Sequence, residues 1–301
     1  MKILIVGGSG IIGSYIDDKL NKYHSITSTY NSGLKKSDHY VKINLLDKLA
    51  LCSFIENCEN FDVIIFFVAL AHKKGAKKDL SEFRKFNYET LYNLVSALQK
   101  YDKIPEKFIY ASTISVYGEN FYKTSYQEVD LTNPQSPYAI TKLEAENYLK
   151  KIFANNLWIL RFSPVYSKMY VNNILRRTKI RNIYYRVGNG LQKLSLCNID
   201  NIVSIIEGIL KNDIPFGIFN VSDNECYTYR DLLKIQKAEN IYWVPSILVL
   251  VIYFIGKLIK NIFLVENSIK LLTDNIFSSN KVSKFIDLKF GINNLNEQSF
   301  I

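Results

Sequence analysis

Short apolar runs separated by stretches of helical spacing set the rhythm of the first half of the chain. Lys2 to Val6 is aliphatic and leads into a glycine turn, after which Ile11 to Leu20 places its apolar residues on one helical face. Ser25 to Tyr30 is rich in β-branched residues and predicts a second strand. Leu46 to Glu56 predicts a helix. Asp62 to Phe67 is apolar without a break from Val63 on, the pattern of a strand buried on both faces of a parallel sheet. Phe83 to Gln99 then predicts a helix, Lys107 to Ala111 a strand, Ser136 to Phe153 a helix and Leu157 to Phe162 a strand. Strands spaced by helices in this way predict an α/β fold, a Rossmann-type doubly wound parallel sheet. After about residue 165 the rhythm loosens, with Gly217 to Val221 reading as a strand and Tyr229 to Lys237 as a helix.

One apolar stretch, Val244 to Val265, has to be weighed against a membrane span. Its uninterrupted core, Ile247 to Ile255, is far shorter than the roughly 20 residues a bilayer requires, and Lys257 and Lys260 interrupt it. A buried or amphipathic helix is expected, with no transmembrane span; peripheral contact with the inner membrane surface is the alternative.

Composition narrows the class. With 48% hydrophobic and 22% charged residues in 301, the chain has the makeup of a folded globular protein rather than a disordered one. The net charge of +10 does not imply nucleic acid, because the lysines are scattered. The densest cluster (Lys73, Lys74, Lys77 and Lys78) is followed by Asp79 and Glu82, as on a solvated helix approach. A basic protein also attracts anionic small molecules. Cys52, Cys58, Cys197 and Cys226 form no metal-binding pair and read as buried thiols in a reducing compartment. His24, His39 and His72 are widely separated, so no metal site is expected. The N-terminus enters a strand at once, without a signal peptide, and a cytoplasmic location is expected.

The first chemistry lies in Gly7-Gly8-Ser9-Gly10-Ile11-Ile12-Gly13, between a strand and a helix. Gly7, Gly10 and Gly13 give a tight turn, close approach to a pyrophosphate and close helix packing. Ile11 and Ile12 open the helix whose N-terminus faces the negative charge. Residues 1–165 are therefore expected to form a dinucleotide-binding domain. Residues 166–301 are expected to form a smaller C-terminal substrate-binding domain, some of whose segments return to the main sheet. An acidic residue for the ribose hydroxyls is expected about 20 residues after the turn. Tyr30-Asn31-Ser32-Gly33 stands there instead, with Lys35 and Lys36 just beyond. With Asn31 unable to repel a 2′-phosphate and Lys35 able to pair it, the expected cofactor tilts from NAD to NADP.

The second chemistry is Tyr138-Ala139-Ile140-Thr141-Lys142, which puts a phenol and an ammonium four apart on one helix face. The ammonium is expected to lower the phenol's pKa, ordinarily about 10, so that Tyr138 exchanges a proton while hydride moves at the same carbon. Pro134-Gln135-Ser136-Pro137 precedes the pair, and Ala111 to Gly118 (ASTISVYG) ends the fourth strand.

In order and spacing these segments resemble the extended short-chain dehydrogenase/reductase family, in its nucleotide-sugar epimerase and reductase branch. The match extends through Asp62 to Ala69, Asn87 with Thr90, Leu160 to Tyr166 (LRFSPVY), Gly188-Asn189-Gly190 and Phe219-Asn220-Val221, nearly the whole chain. The resemblance implies that Thr113 hydrogen-bonds the sugar oxygen, Tyr138 is the acid/base, and Lys142 also binds the nicotinamide ribose. It implies cofactor contacts for Ala69, Asn87 and Asn44, the last where relatives often carry an aspartate to the adenine. Ser163 stands where an asparagine often meets the sugar-nucleotide phosphates. The arginine that many members place on the diphosphate is replaced by Leu194, leaving the adjacent Lys193 as the substrate-side cation. A homodimer and a place in cell-surface polysaccharide biosynthesis are also implied.

Family 4,6-dehydratases resemble Thr-Asp-Glu where this chain has Thr113-Ile114-Ser115, so sugar dehydration is disfavoured. A 4-ketoreductase and a 4-epimerase with retained NAD both remain, and the missing acidic residue favours the reductase. A non-catalytic dinucleotide-binding regulator is the alternative of another class; the intact Thr113, Tyr138 and Lys142 argue against it.

Overall fold

The computed structural model describes residues 1–32, 37–71 and 80–300. Seven strands form the main sheet: β1 (Lys2–Val6), β2 (Ser25–Tyr30), β3 (Tyr40–Lys42), β4 (Val63–Phe66), β5 (Lys107–Thr113), β6 (Leu157–Phe162) and β7 (Gly217–Val221). Their order is β7-β6-β5-β4-β1-β2-β3. β1 pairs in parallel with β2 on one side and β4 on the other, with Ile3 opposite both Ile26 and Val63. The chain reverses its direction of travel across the sheet after β3, as expected of the doubly wound fold.

The first of two compact units comprises Met1–Thr113, Pro137–Leu160 and Phe216–Ile218. Its helices are α1 (Ile11–Leu20), α2 (Lys48–Asn57), α3 (Leu80–Arg84), α4 (Thr90–Lys100) and α5 (Pro137–Ile152). Asp47 caps α2 by accepting a hydrogen bond from the Ala50 amide at 3.1 Å. Pro137 opens α5, where its fixed φ suits a first helical turn. Every residue of β4 and β5 is buried, because helices cover both faces of the sheet. Val6, Ile64, Phe66, Phe108 and Ile159 pack there against Leu94, Leu98 and Leu149.

The single helix expected over Phe83 to Gln99 is instead divided. A π-helical turn, Lys85–Glu89, lies between α3 and α4. Its cause is tertiary: the Asn87 amide closes onto the backbone of Leu70 from both sides and donates to Thr141 Oγ1 at 3.0 Å. A wider turn accommodates those bonds.

The second unit comprises Ile114–Ser136, Arg161–Pro215 and Phe219–Ile301. It carries α6 (Asn172–Thr178), α7 (Ile199–Leu210), α8 (Tyr229–Ile235), α9 (Ser246–Leu258) and α10 (Ile262–Leu272), with short strands between them. Tyr166, Leu194, Leu196, Tyr227, Leu232 and Ile292 form its core. Thr228 and Asp231 make a capping box at α8. The stretch Val244 to Val265 divides between two helices that turn at Ile259–Asn261, where Lys260 takes φ +54°. No described helix is long and apolar enough to cross a membrane. Of the four cysteines, which the sequence suggested were all buried, only Cys197 is fully so; Cys52 and Cys58 are half-buried and Cys226 is exposed.

Candidate active site

The glycine turn is a cradle that side chains would fill. Gly7 has φ +91°, a conformation open to glycine at little cost, and a Cβ there would lie 3.0 Å from Val68 Cγ2. A Cβ on Gly13 would sit 2.3 Å from the Gly7 carbonyl oxygen, so α1 reaches this close to β1 only as glycine. The Gly10 amide donates to that same carbonyl at 3.1 Å. Gly10 occupies the cap position of α1 without a side-chain hydrogen bond, leaving the helix N-terminus to an anion. Ile11 is exposed and Ile12 half-buried at the start of that helix. This arrangement fits a dinucleotide pyrophosphate.

Behind the turn lies a polar network that the sequence did not suggest. Buried Asp17 on α1 accepts hydrogen bonds from Ser28 Oγ at 2.6 Å and Tyr40 Oη at 3.0 Å, and meets His39 Nε2 at 3.0 Å. Tyr40 Oη also lies 3.3 Å from the Gly8 carbonyl oxygen, so the network braces the turn. An acidic residue spaced one helical turn past the third glycine was the available signal. Asn31 at the end of β2 and Asn44 ahead of α2 are both exposed; Asn44 Oδ1 accepts from the Leu46 amide at 3.1 Å. Ala69 lies exposed just beyond β4, and Asn87 pins the neighbouring Leu70. Lys35 and Lys36, and the cluster Lys73, Lys74, Lys77 and Lys78, lie outside the described residues.

Thr113 ends β5, and Tyr138 and Lys142 lie on α5. The Thr113 hydroxyl hydrogen-bonds the Tyr138 phenol, which keeps a partly exposed edge. Lys142 is buried to 1% exposure, with Nζ 4.4 Å from the centre of the Tyr110 ring. One helical turn further, the fully buried Glu146 accepts from Ser112 Oγ at 2.5 Å. Tyr138, Lys142 and Glu146 thus share a face at i, i+4 and i+8, a spacing visible in the sequence.

The electrostatics differ from the expectation of a lowered phenol pKa. Burial pushes Tyr138 up to about 12, and the Thr113 hydrogen bond offsets this only in part. Burial pushes Lys142 down to about 7, against the pull of Glu146. Desolvation penalises both charged forms, and spacing along a helix says nothing of desolvation. The result is a protonated phenol beside an amine that changes charge near neutral pH.

In the second unit, Ser163 is buried and its hydroxyl has no hydrogen-bond partner in the structure. A buried hydroxyl without a partner costs stability and suits a ligand contact. Lys193 is exposed, its amide donating to Asp274 Oδ1 at 2.7 Å, while Leu194 is buried in the core and cannot replace the missing arginine. Two other arginines meet the Gly188-Asn189-Gly190 turn. A Cβ on Gly190 would lie 2.8 Å from Arg186 Cδ and 3.4 Å from Arg230 Cγ, and Arg230 Nε donates to the Asn189 carbonyl at 2.6 Å. Arg186 Nε is buried without a hydrogen-bond partner. Neither arginine stands at the position, held here by Leu194, where the family spacing would place one, so the sequence did not single them out. Among the described residues no group of His, Cys, Asp and Glu side chains could hold a metal ion.

The sheet and its glycine turn define a Rossmann-type α/β protein. A model of the NAD dependent epimerase/dehydratase family matches residues 3–222, and the chain is an enzyme of that family. It is 27% identical over 290 residues to a putative UDP-glucose 4-epimerase of Methanocaldococcus jannaschii, covering 81% of this chain and 93% of that protein. It is 28% identical over 269 residues to dTDP-D-glucose 4,6-dehydratase of Dictyostelium discoideum, covering 77% of this chain but only 61% of that protein. The UDP-glucuronic acid 4-epimerase of Bacillus cereus, solved in complex with NAD, has the same fold. Its TM-score is 0.72 at 21% identity, covering 100% of this chain and 96% of that one.

Proposed function

We propose that the chain is an NAD(P)-dependent oxidoreductase acting at carbon 4 of a nucleotide-diphosphate sugar, and that it is a 4-ketoreductase using NADPH. The observation that carries this reading is the hydrogen-bonded Thr113–Tyr138 pair beside the buried Lys142. A dinucleotide held by its pyrophosphate at the glycine turn would supply the hydride from its nicotinamide. Thr113 and Tyr138 bind one sugar oxygen, and Tyr138 gives it a proton as the carbonyl becomes an alcohol. A phenol held protonated is the form that reduction needs. Lys142 orients the nicotinamide ribose and, when charged, favours the phenolate left behind. Of the second unit's side chains, Ser163, Lys193, Arg186 and Arg230 suit an anionic group.

The residues after Thr113 argue against elimination of water. Ile114 is a buried apolar side chain and Ser115 carries no acid, so no second acid/base pair follows the threonine. The choice of NADPH rests on Asn31 and on Lys35 and Lys36 in the sequence. A 4-epimerase retaining NAD is the second reading, favoured by the 4-epimerase relatives and by the NAD bound to the Bacillus cereus enzyme. A cytoplasmic homodimer in cell-surface polysaccharide biosynthesis fits either. Mass spectrometry of the nucleotide carried by purified protein separates them. Protein free of nucleotide that reduces a 4-keto-6-deoxy sugar with NADPH supports the reductase; stoichiometric tightly held NAD with epimerised product refutes it.

A further inference from the structure

Beyond that reaction, we propose that the α9–α10 hairpin attaches this protein to the surface of an anionic lipid bilayer without crossing it. The exposed side of α9 is apolar. Ile247, Val251, Phe254 and Leu258 follow one another at helical spacing and are 65%, 47%, 59% and 84% exposed, with Ile255 and Ile259 alongside. Inward-facing positions fall to Val249 and Gly256. Single exposed apolar side chains are ordinary on protein surfaces, whereas a continuous stripe marks a contact. A Cβ on Gly256 would lie 2.9 Å from Leu264 Cβ, so α10 packs closely and the hairpin is a fixed element.

Charge and length select the occupant. From Asn240 to Val265 there is no acidic residue, and the two charges are Lys257 and Lys260, both exposed at the end of the stripe. Lys257 Nζ lies 5.3 Å from the centre of the Tyr253 ring, and the long stems of both lysines let their ammonium groups turn toward anionic headgroups. Tyr242 and Trp243, both more than 60% exposed, sit at the other end, residue types that favour the membrane–water boundary. The 13 residues of α9 rise about 20 Å against the roughly 30 Å of a hydrocarbon core, so the helix lies in the interface plane. A second copy seated by two-fold symmetry on this face would bring lysines together with no carboxylate on the face to pair them.

The test is flotation of the full-length protein with vesicles of phosphatidylcholine alone or with about a third phosphatidylglycerol. Light scattering and thermal melts run in parallel. Wild type is expected to float with the anionic vesicles and to be released by salt. Lys257→Gln with Lys260→Gln should weaken partitioning about 25-fold, from about fivefold per lysine. Phe254→Ser with Leu258→Ser should weaken it at least about tenfold, with melts and soluble activity unchanged. Wild type that fails to float, or floating that neither pair alters, overturns the proposal. So does a molar mass that falls in the Phe254/Leu258 variant, which would show that a second copy covers the stripe. Protein released only by detergent would also overturn it.

Discussion

Glu146→Gln is predicted to move the pH dependence of the reaction while leaving the shape of the site intact. Glu146 is fully buried and is the group that holds the Lys142 pKa up against desolvation. At pH 7.5 a lysine of pKa about 7 is about one quarter charged. Charges about 6 Å apart, the spacing of i,i+4 side chains, interact by about 3 kcal/mol at an effective dielectric constant of about 20. Allowing for solvent penetration, loss of the carboxylate should lower the Lys142 pKa by about one to two units. The charged fraction at pH 7.5 then falls to a few per cent or less. If the ammonium is needed, kcat/KM falls roughly tenfold or more at that pH, and its high-pH limb moves down by one to two units. Activity should recover as the pH is lowered toward 6. The Gln oxygen still accepts from Ser112, but its buried amide hydrogens lack partners, costing about 1–3 kcal/mol and lowering Tm by several degrees. The assay is nicotinamide absorbance against pH for both proteins at saturating cofactor. An unmoved limb, with only kcat reduced, would refute the role given to the Glu146–Lys142 pair.

Three further outcomes are expected. Gly13→Ala, whose Cβ would fall 2.3 Å from the Gly7 carbonyl, should weaken dinucleotide binding about 10- to 100-fold by calorimetry; unchanged affinity would refute the cradle. Asn31→Asp should repel a 2′-phosphate and turn the preference from NADPH toward NADH, whereas equal loss of both would place the 2′-position elsewhere. Asp223 is raised to about 6 by burial, despite hydrogen bonds from Tyr166, Tyr227, Asn198 and Asn201. The folded state therefore holds a proton that the unfolded chain releases near pH 4, so this group's contribution to stability falls as pH rises from about 4 to 6 and is level above. Asp223→Asn should flatten that part of the Tm–pH curve, and an unchanged slope would assign it to other groups.

The strands Lys2–Val6, Ser25–Tyr30, Leu157–Phe162 and Gly217–Val221 fall at the residues their sequences predict. Apolar or β-branched runs with glycine or polar breaks at their ends mark a buried parallel strand. The π turn at Lys85–Glu89 was not legible, because its cause lies in Leu70 and Thr141, far away in sequence. The outward-facing stripe of α9 was half legible: the apolar run was visible, but which face it turned to solvent depends on the crossing at Gly256. At the candidate site the glycine spacing and the Tyr138–Lys142 pair were legible. Their titration was not, since it follows from desolvation by Tyr110 and the surrounding core. Glu146 and Asp17 were not legible, because buried carboxylates look like solvated ones until their partners Ser112, Ser28 and Tyr40 are placed.

In the proposed reaction Tyr138 carries the proton while hydride moves at one sugar carbon. Tyr138→Phe removes the hydroxyl and leaves the ring, the helix and the glycine turn in place. The expected result is a loss of turnover of about 10²–10⁴-fold, with cofactor affinity nearly unchanged by calorimetry and a melt within a few degrees of wild type. The measurement is single-turnover nicotinamide absorbance with a 4-keto-6-deoxy nucleotide sugar, alongside product mass. Wild-type hydride transfer in the Phe variant would contradict the account, as would rapid loss of water from a nucleotide-linked hexose with no reduced or epimerised product in the wild type.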